Sequence, residues 1–116
     1  MKIKYSTLIV KDMNESVKFY TENLGFAIDS EYHLPHATIF LLKGEGETMV
    51  ELIEDKEGEI GLFSIGMEVE DIDETVENLK NNGIEFIIGP TEISVGKMAL
   101  FKDPNDVNIV IIKHDK

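Results

Sequence analysis

Eight residues near the start of the chain recur 59 positions further on. Val10-Lys11-Asp12-Met13-Asn14-Glu15-Ser16-Val17 and Val69-Glu70-Asp71-Ile72-Asp73-Glu74-Thr75-Val76 share four identities and two conservative replacements. A duplication at about half the length of a 116-residue chain points to a fold of two similar modules. Each copy reads as a strand running into a helix. Asp12 and Asp71 are the N-cap candidates, and Glu15 and Glu74, three residues on, are placed to complete reciprocal capping boxes. Their carboxylates also suit the positive end of the helix dipole. Met13, Val17, Tyr20 and Leu24 keep helical spacing, as do Ile72, Val76 and Leu79. Gly25 and Gly83, each followed by an apolar residue, end the two helices in the left-handed conformation that glycine adopts without cost. These glycines lie 58 apart rather than 59, so one residue was gained or lost within a helix.

Strand-like segments follow each helix. After the first they cover residues 27–33, 37–43 and 48–54, broken at Leu34-Pro35-His36 and Gly44-Glu45-Gly46-Glu47. After the second they cover 85–88, 97–102 and 107–113, broken at Gly89-Pro90 and Asp103-Pro104-Asn105-Asp106. Opening strands at 4–11 and 62–70 make each half β-α-β-β-β. The expected organisation is a single α+β domain over residues 1–116. Module one covers 1–55, an acidic, Gly-punctuated linker 56–61, and module two 62–116.

Composition removes several classes of function. Eleven basic residues against 23 acidic ones give a formal charge of −12. Such a field repels phosphates, so neither nucleic acid nor an anionic membrane is an expected partner. With no cysteine, disulfides, thiol nucleophiles and cysteine-held metal clusters are excluded. No apolar run approaches the ~18 residues of a membrane span, and the N-terminus lacks a signal-peptide core. A soluble, cytoplasmic domain is expected. Gly44-Glu45-Gly46-Glu47 reads as a hairpin turn and not a phosphate cradle, having neither a following helix nor a lysine.

The residues Val10-Lys11-Asp12-Met13, Ser16, Phe19-Tyr20 and Leu24-Gly25-Phe26 carry a family likeness. In the second module it continues through Val69-Glu70-Asp71-Ile72 and Asp103-Pro104-Asn105. The chain resembles the vicinal oxygen chelate superfamily, which holds glyoxalase I, the bleomycin- and fosfomycin-resistance proteins and the extradiol dioxygenases. The resemblance implies two tandem βαβββ modules forming a curved mixed sheet around a small-molecule cavity, with helices on the outer face. It also implies a homodimer. In metal-dependent members, one position on the first strand and one on the last strand of each module chelate a divalent metal. Here these fall on Tyr5, Glu51, Ser64 and Val110, and Tyr5/Ser64 and Glu51/Val110 are both 59 apart. The family usually has His or Glu at such positions, and only Glu51 keeps that form. Transition metals need several imidazole or carboxylate donors, so no metal cofactor is expected.

Strand alternation fixes the neighbours of Glu51. Met49, Glu51 and Ile53 share one face, Val50 and Leu52 the other, and Tyr5, Thr7 and Ile9 join the cavity side by the same parity. In the second module Ser64, Gly66, Glu68, Val110 and Ile112 do so. Tyr5, Thr7, Met49, Glu51, Ser64 and Val110 are therefore the expected ligand-binding positions in a mostly apolar lining. A donor such as the Tyr5 hydroxyl would satisfy a buried Glu51. Glu51 then serves as a general base, as an anchor for a cationic or hydrogen-bonding ligand, or as a structural carboxylate paired with Tyr5 or Ser64. His33 and His36 flank a hairpin, a spacing that metal binding shares with ordinary loop histidines; His114 receives no role.

Three functions fit this pattern. The foremost is metal-independent binding of a small organic molecule. The second is a lactoylglutathione-lyase-like, isomerase-like or dioxygenase-like enzyme, with an altered metal site or Glu51 as base. The third is a structural or regulatory domain whose cavity is plugged by Tyr5, Met49 and Ile112.

Overall fold

A computed structural model describes residues 1–115. The element order is β1 (Lys2–Val10), α1 (Met13–Lys18), a π-helical turn (Phe19–Asn23), β2 (Ala27–Leu34), β3 (Ala37–Lys43) and β4 (Met49–Glu54). It continues with β5 (Gly61–Glu68), α2 (Ile72–Asn81), β6 (Phe86–Ile93), β7 (Gly96–Lys102) and β8 (Asn108–His114). The β-α-β-β-β pattern thus occurs twice. Two compact units result, one spanning Tyr5–Phe63 and the other Met1–Lys4 with the chain from Ser64 on.

In the first unit the strand order is β2-β3-β4-β1. β1 and β4 run parallel, with Tyr5 opposite Met49 and Thr7 opposite Glu51, whereas β2, β3 and β4 pair antiparallel. Leu8, Val10, Phe40, Leu42, Val50 and Leu52 form one face of this sheet and pack with Met13, Val17 and Tyr20. In the second unit the order is β5-β8-β7-β6, again with a parallel pair, β5 and β8. There Ile65, Met67, Ala99, Phe101, Ile109 and Ile111 pack against Ile72, Val76 and Leu79 of α2. In both units the period-2 alternation therefore places one apolar set under the helix.

Both helices start as the sequence predicts. The Asp12 and Asp71 carboxylates accept from the backbone N–H of Glu15 (3.1 Å) and Glu74 (3.0 Å), caps worth about 1 kcal/mol each. The reciprocal halves of the boxes do not form among the described residues. At α1 a distant carboxylate serves the first turn instead, with the Met13 N–H donating to Glu54 Oε2 of β4 at 2.8 Å. At α2 Lys97 of β7 pairs with Asp73 at 2.9 Å, and this bond raises the lysine pKa.

The helix ends account for the 58-residue offset. At α2 the Ile84 N–H donates to Leu79 O and the Gly83 N–H to Lys80 O, both at 3.0 Å, closing a Schellman motif around a left-handed Gly83. At the end of the first helix the Phe26 N–H reaches back one residue further, to Tyr20 O. The extra residue sits in the π turn at Phe19–Asn23, where the wider i→i+5 repeat absorbs it and leaves the glycine stop in place.

One expected break is absent. Gly89-Pro90 does not end a strand, because β6 continues to Ile93 across register shifts between Phe86 and Thr91. Irregular pairing at these shifts accommodates a proline without an amide hydrogen on this outer strand of the unit's sheet.

Candidate functional site

The first unit turns a second face away from its helix. Cross-strand partners in the β1–β4 and β3–β4 ladders place Tyr5, Thr7, Ile9, Met49, Glu51, Ile53, Ile39, Leu41 and the exposed Lys43 together on it. Thr7, Ile9 and Leu41 are buried, Tyr5, Met49, Glu51 and Ile53 are half-buried, and Tyr32 and Leu34 on the outer strand β2 are exposed. The surface therefore grades from a sheltered floor to an open margin.

Glu51 is the acidic group in this apolar set. Its Oε1 accepts a hydrogen bond from the Thr7 hydroxyl at 2.6 Å. The expected donor was the Tyr5 hydroxyl, with Ser64 as another pairing partner. Parallel register decides for Thr7, because β1 and β4 put Thr7 directly opposite Glu51 and Tyr5 opposite Met49. A threonine hydroxyl needs only its short side chain to reach an adjacent strand. Thr7 is 3% exposed, so its hydroxyl requires such an acceptor. Hydrogen bonds to an ionised acceptor are among the stronger ones, and this one holds the carboxylate at a defined place on the sheet.

The remaining positions lie in the second unit. Ser64, buried, is opposite Asn108, and Val110 lies opposite Gly66 on β5 and Leu100 on β7. They share the face away from α2. At its end Glu68 and His114 come together, with His114 Nδ1 2.8 Å from Glu68 Oε2 and Lys2 Nζ 3.8 Å from Glu68 Oε1. The sequence reading gave His114 no role because it placed the residue in a tail. The structure makes it the last residue of β8. The parity Val110, Ile112, His114, carried one step further along the strand, would have found it. These two side chains border an open cleft with Lys2, Asp71, Glu74 and Lys113.

Partial burial pushes the Glu68 pKa up, but the hydrogen bond and charge of His114, with the charges of Lys4 and Lys2, outweigh it. The carboxyl is thereby held below its ordinary 4.5. A carboxyl lowered by folding stabilises the native state above its unfolded pKa, and that contribution disappears as pH falls through the folded value. Below pH 4.5, acid unfolding followed by circular dichroism is expected to be shallower in Glu68→Gln than in wild type. Coincident profiles would mean that the pair contributes nothing to stability.

His33 and His36 show no comparable arrangement. His33 Nε2 lies 3.7 Å from Glu31 with both side chains exposed, and its ring meets Phe40 edge-on. Among the described residues no three His, Asp or Glu side chains group as metal ligands would.

A family model described as the Glyoxalase/Bleomycin resistance protein/Dioxygenase superfamily matches residues 2–111. The chain belongs to this superfamily. Two relatives matched over most of their length come from Bacillus subtilis (strain 168). The uncharacterized protein YetH is 33% identical, with 90% of each chain covered, and the uncharacterized protein YraH is 31% identical, with 97% of this chain and 98% of the relative covered. Among solved structures, methylmalonyl-CoA epimerase from Mycobacterium tuberculosis superposes with a TM-score of 0.85. The match covers 99% of this chain and 89% of that one, at 14% identity. A likeness at that identity shows the glyoxalase fold and leaves the chemistry to the residues of each chain.

Proposed function

We propose that this glyoxalase-superfamily protein binds a small organic molecule on the Glu51 face without a metal ion. The observation that carries the reading is the Thr7–Glu51 hydrogen bond, a fixed polar point on a face that Ile9, Leu41, Met49 and Ile53 make largely apolar, with Lys43 at its margin. Small-molecule sites are commonly built this way, with apolar area supplying affinity and a few placed polar groups supplying orientation. The family's metal-ligand positions do not suit a divalent ion here. Val110 has no donor atom, Ser64 offers a neutral hydroxyl, Tyr5 would have to lose a phenolic proton, and Glu51 already accepts from Thr7. Exposed Ile28, Tyr32 and Leu34 on the outer strand β2 favour self-association, consistent with a homodimer. Among the described residues no helix is long and apolar enough to cross a membrane.

The test is a thermal-shift survey of chelator-treated protein against apolar and amphiphilic small molecules, with Ni²⁺, Zn²⁺, Co²⁺, Mn²⁺ and Fe²⁺ in parallel. A compound that binds only the native state at ~100 times its Kd stabilises by about 2.7 kcal/mol and raises Tm accordingly. Stabilisation by organic compounds and by no metal is the expected result. Stabilisation by a metal that is lost in Glu51→Ala would overturn it and move the protein to the metalloenzymes.

A second reading has a specific observation behind it. A carboxylate held in place by Thr7, on the fold of methylmalonyl-CoA epimerase, suits a base that removes a proton from carbon next to a carbonyl. It ranks second because the multiply anionic CoA group would approach a chain of charge −12. Deuterium uptake from D₂O at the α-carbon of a branched acyl-CoA, lost in Glu51→Gln, would promote this reading over the first.

A further inference from the structure

We infer that Asn82 is a self-modifying site, converted through a cyclic imide to aspartyl and isoaspartyl forms at a rate set by the cap of α2. The inference is independent of what the Glu51 face binds. It starts from a dipeptide, since Asn82-Gly83 is the one Asn-Gly step in the chain.

The chemistry needs only these two residues and water. The Gly83 amide nitrogen attacks Asn82 Cγ and a five-membered succinimide forms. The side-chain nitrogen leaves as ammonia, carrying the proton that the amide gives up. Water then opens the ring at either carbonyl. Attack at the side-chain carbonyl gives aspartate, and attack at the main-chain carbonyl gives an isoaspartyl link. One water is consumed, one ammonia is released, and nothing is oxidised or reduced. Glycine suits the attack because no side chain shields its nitrogen. The other asparagines, at 14, 23, 78, 81, 105 and 108, all precede residues that carry one.

The fold exposes this site and restrains it. Asn82 is the exposed C-cap of α2, so water reaches it. Its ψ of 7 eclipses the Gly83 nitrogen with the nitrogen of Asn82 itself, whereas ring closure needs it eclipsed with Cβ. That rotation cannot occur in place. The Gly83 N–H donates to Lys80 O and the Ile84 N–H to Leu79 O, both at 3.0 Å, and Leu79 and Ile84 pack on the core of this unit. Attack therefore waits for the last turn of the helix to open. Helix ends open at a lower free energy than the whole fold, so the reaction proceeds from the native protein. At the matching stop of the first module Gly25 follows Leu24, which has no side-chain amide. Either product puts a carboxylate at the negative end of the helix dipole. The isoaspartyl form also lengthens the main chain, so the two cap bonds no longer close together.

The test follows purified protein through incubation in mildly alkaline buffer, folded and in guanidinium chloride. Peptide mapping by mass spectrometry locates the converted residue, and chromatography of the digest separates aspartyl from isoaspartyl products. Conversion is expected at Asn82, at least about tenfold more slowly in the folded protein than in the unfolded chain. Lys80→Gly weakens the last turn from an exposed position and leaves the Asn-Gly step intact. It should speed the folded rate about threefold and leave the unfolded rate unchanged. An Asn82 that stays intact in folded protein while the unfolded chain converts removes the site. Equal rates in folded and unfolded wild type remove the control by the cap, as does a Lys80→Gly rate equal to wild type in a folded variant. The wild-type comparison decides the matter even if the variant does not fold.

Discussion

Gly96→Ala is expected to destabilise the protein by about 3 kcal/mol and to lower Tm by roughly 12 °C. Gly96 opens β7 with φ +152, a conformation that residues with a side chain rarely adopt. It also pairs on both sides, with Ile93 of β6 and His114 of β8. A Cβ built there runs into the Lys113 carbonyl oxygen and comes within 2.9 Å of His114 Cα. Both are backbone atoms in the adjoining strand, so no side chain can swing aside to make room. Relief requires the end of β8 to move, and that end carries the Glu68–His114 pair. Strain of ~1–3 kcal/mol for the dihedral is therefore joined by loss of ladder bonds and of the pair. Gly46→Ala is the control, because a Cβ at Gly46 meets nothing within 4 Å and its φ is not positive. That variant should lie within about 1 kcal/mol of wild type, on the stabilising side if anything. Urea denaturation of the three proteins checks both values. Equal midpoints for Gly96→Ala and wild type would show that β8 gives way at little cost.

Leu52→Ala should cost a similar amount for a different reason. Leu52 is fully buried on β4, between Phe40 of β3 and Leu8 of β1, and packs in the cluster with Met13, Val10 and Leu42. Removing three buried carbons forfeits their transfer free energy and leaves a void that the two flanking strands cannot collapse around. Such changes cost ~2–5 kcal/mol, and ~3–4 is expected at a site with no exposure. Ile111 stands 59 residues later in the equivalent place on β8, also fully buried. Ile111→Ala should therefore lose a comparable amount, since the repeat gives both residues the same position between a parallel and an antiparallel neighbour. Calorimetric unfolding of the two variants checks the equivalence. A loss below ~1 kcal/mol in either would mean that its core relaxes to fill the gap.

The duplicated architecture was legible because its signals are local. A carboxylate three residues before the amide it caps, a glycine at a helix end and alternating apolar residues all act within a few positions. Asp12 and Asp71 cap as their spacing implies, Gly25 and Gly83 stop their helices, and the 58-residue offset reappears as a π turn at Phe19–Asn23. Val50 and Leu52 lie under the helix and Met49, Glu51 and Ile53 on the other face, as parity requires. The errors have the opposite character. Gly89-Pro90 reads as a stop by composition, yet β6 runs on with the pairing of β7 to hold it.

Glu51 and Glu54 mark the boundary most clearly. Alternation along β4 is enough to put Glu51 on the face away from the helix, since a strand's side chains alternate whatever it pairs with. That its donor is Thr7 rather than Tyr5 follows from the parallel register of β1 against β4, strands 44 residues apart at this bond. In the same way Glu54 reaches the first amide of α1 from the end of β4, replacing the local half of a capping box. His114 joins Glu68 only once β8 lies beside β5. Caps, stops and faces are settled by bonds that close within one or two turns of chain. Register is settled by the packing of whole strands, and no single residue encodes it.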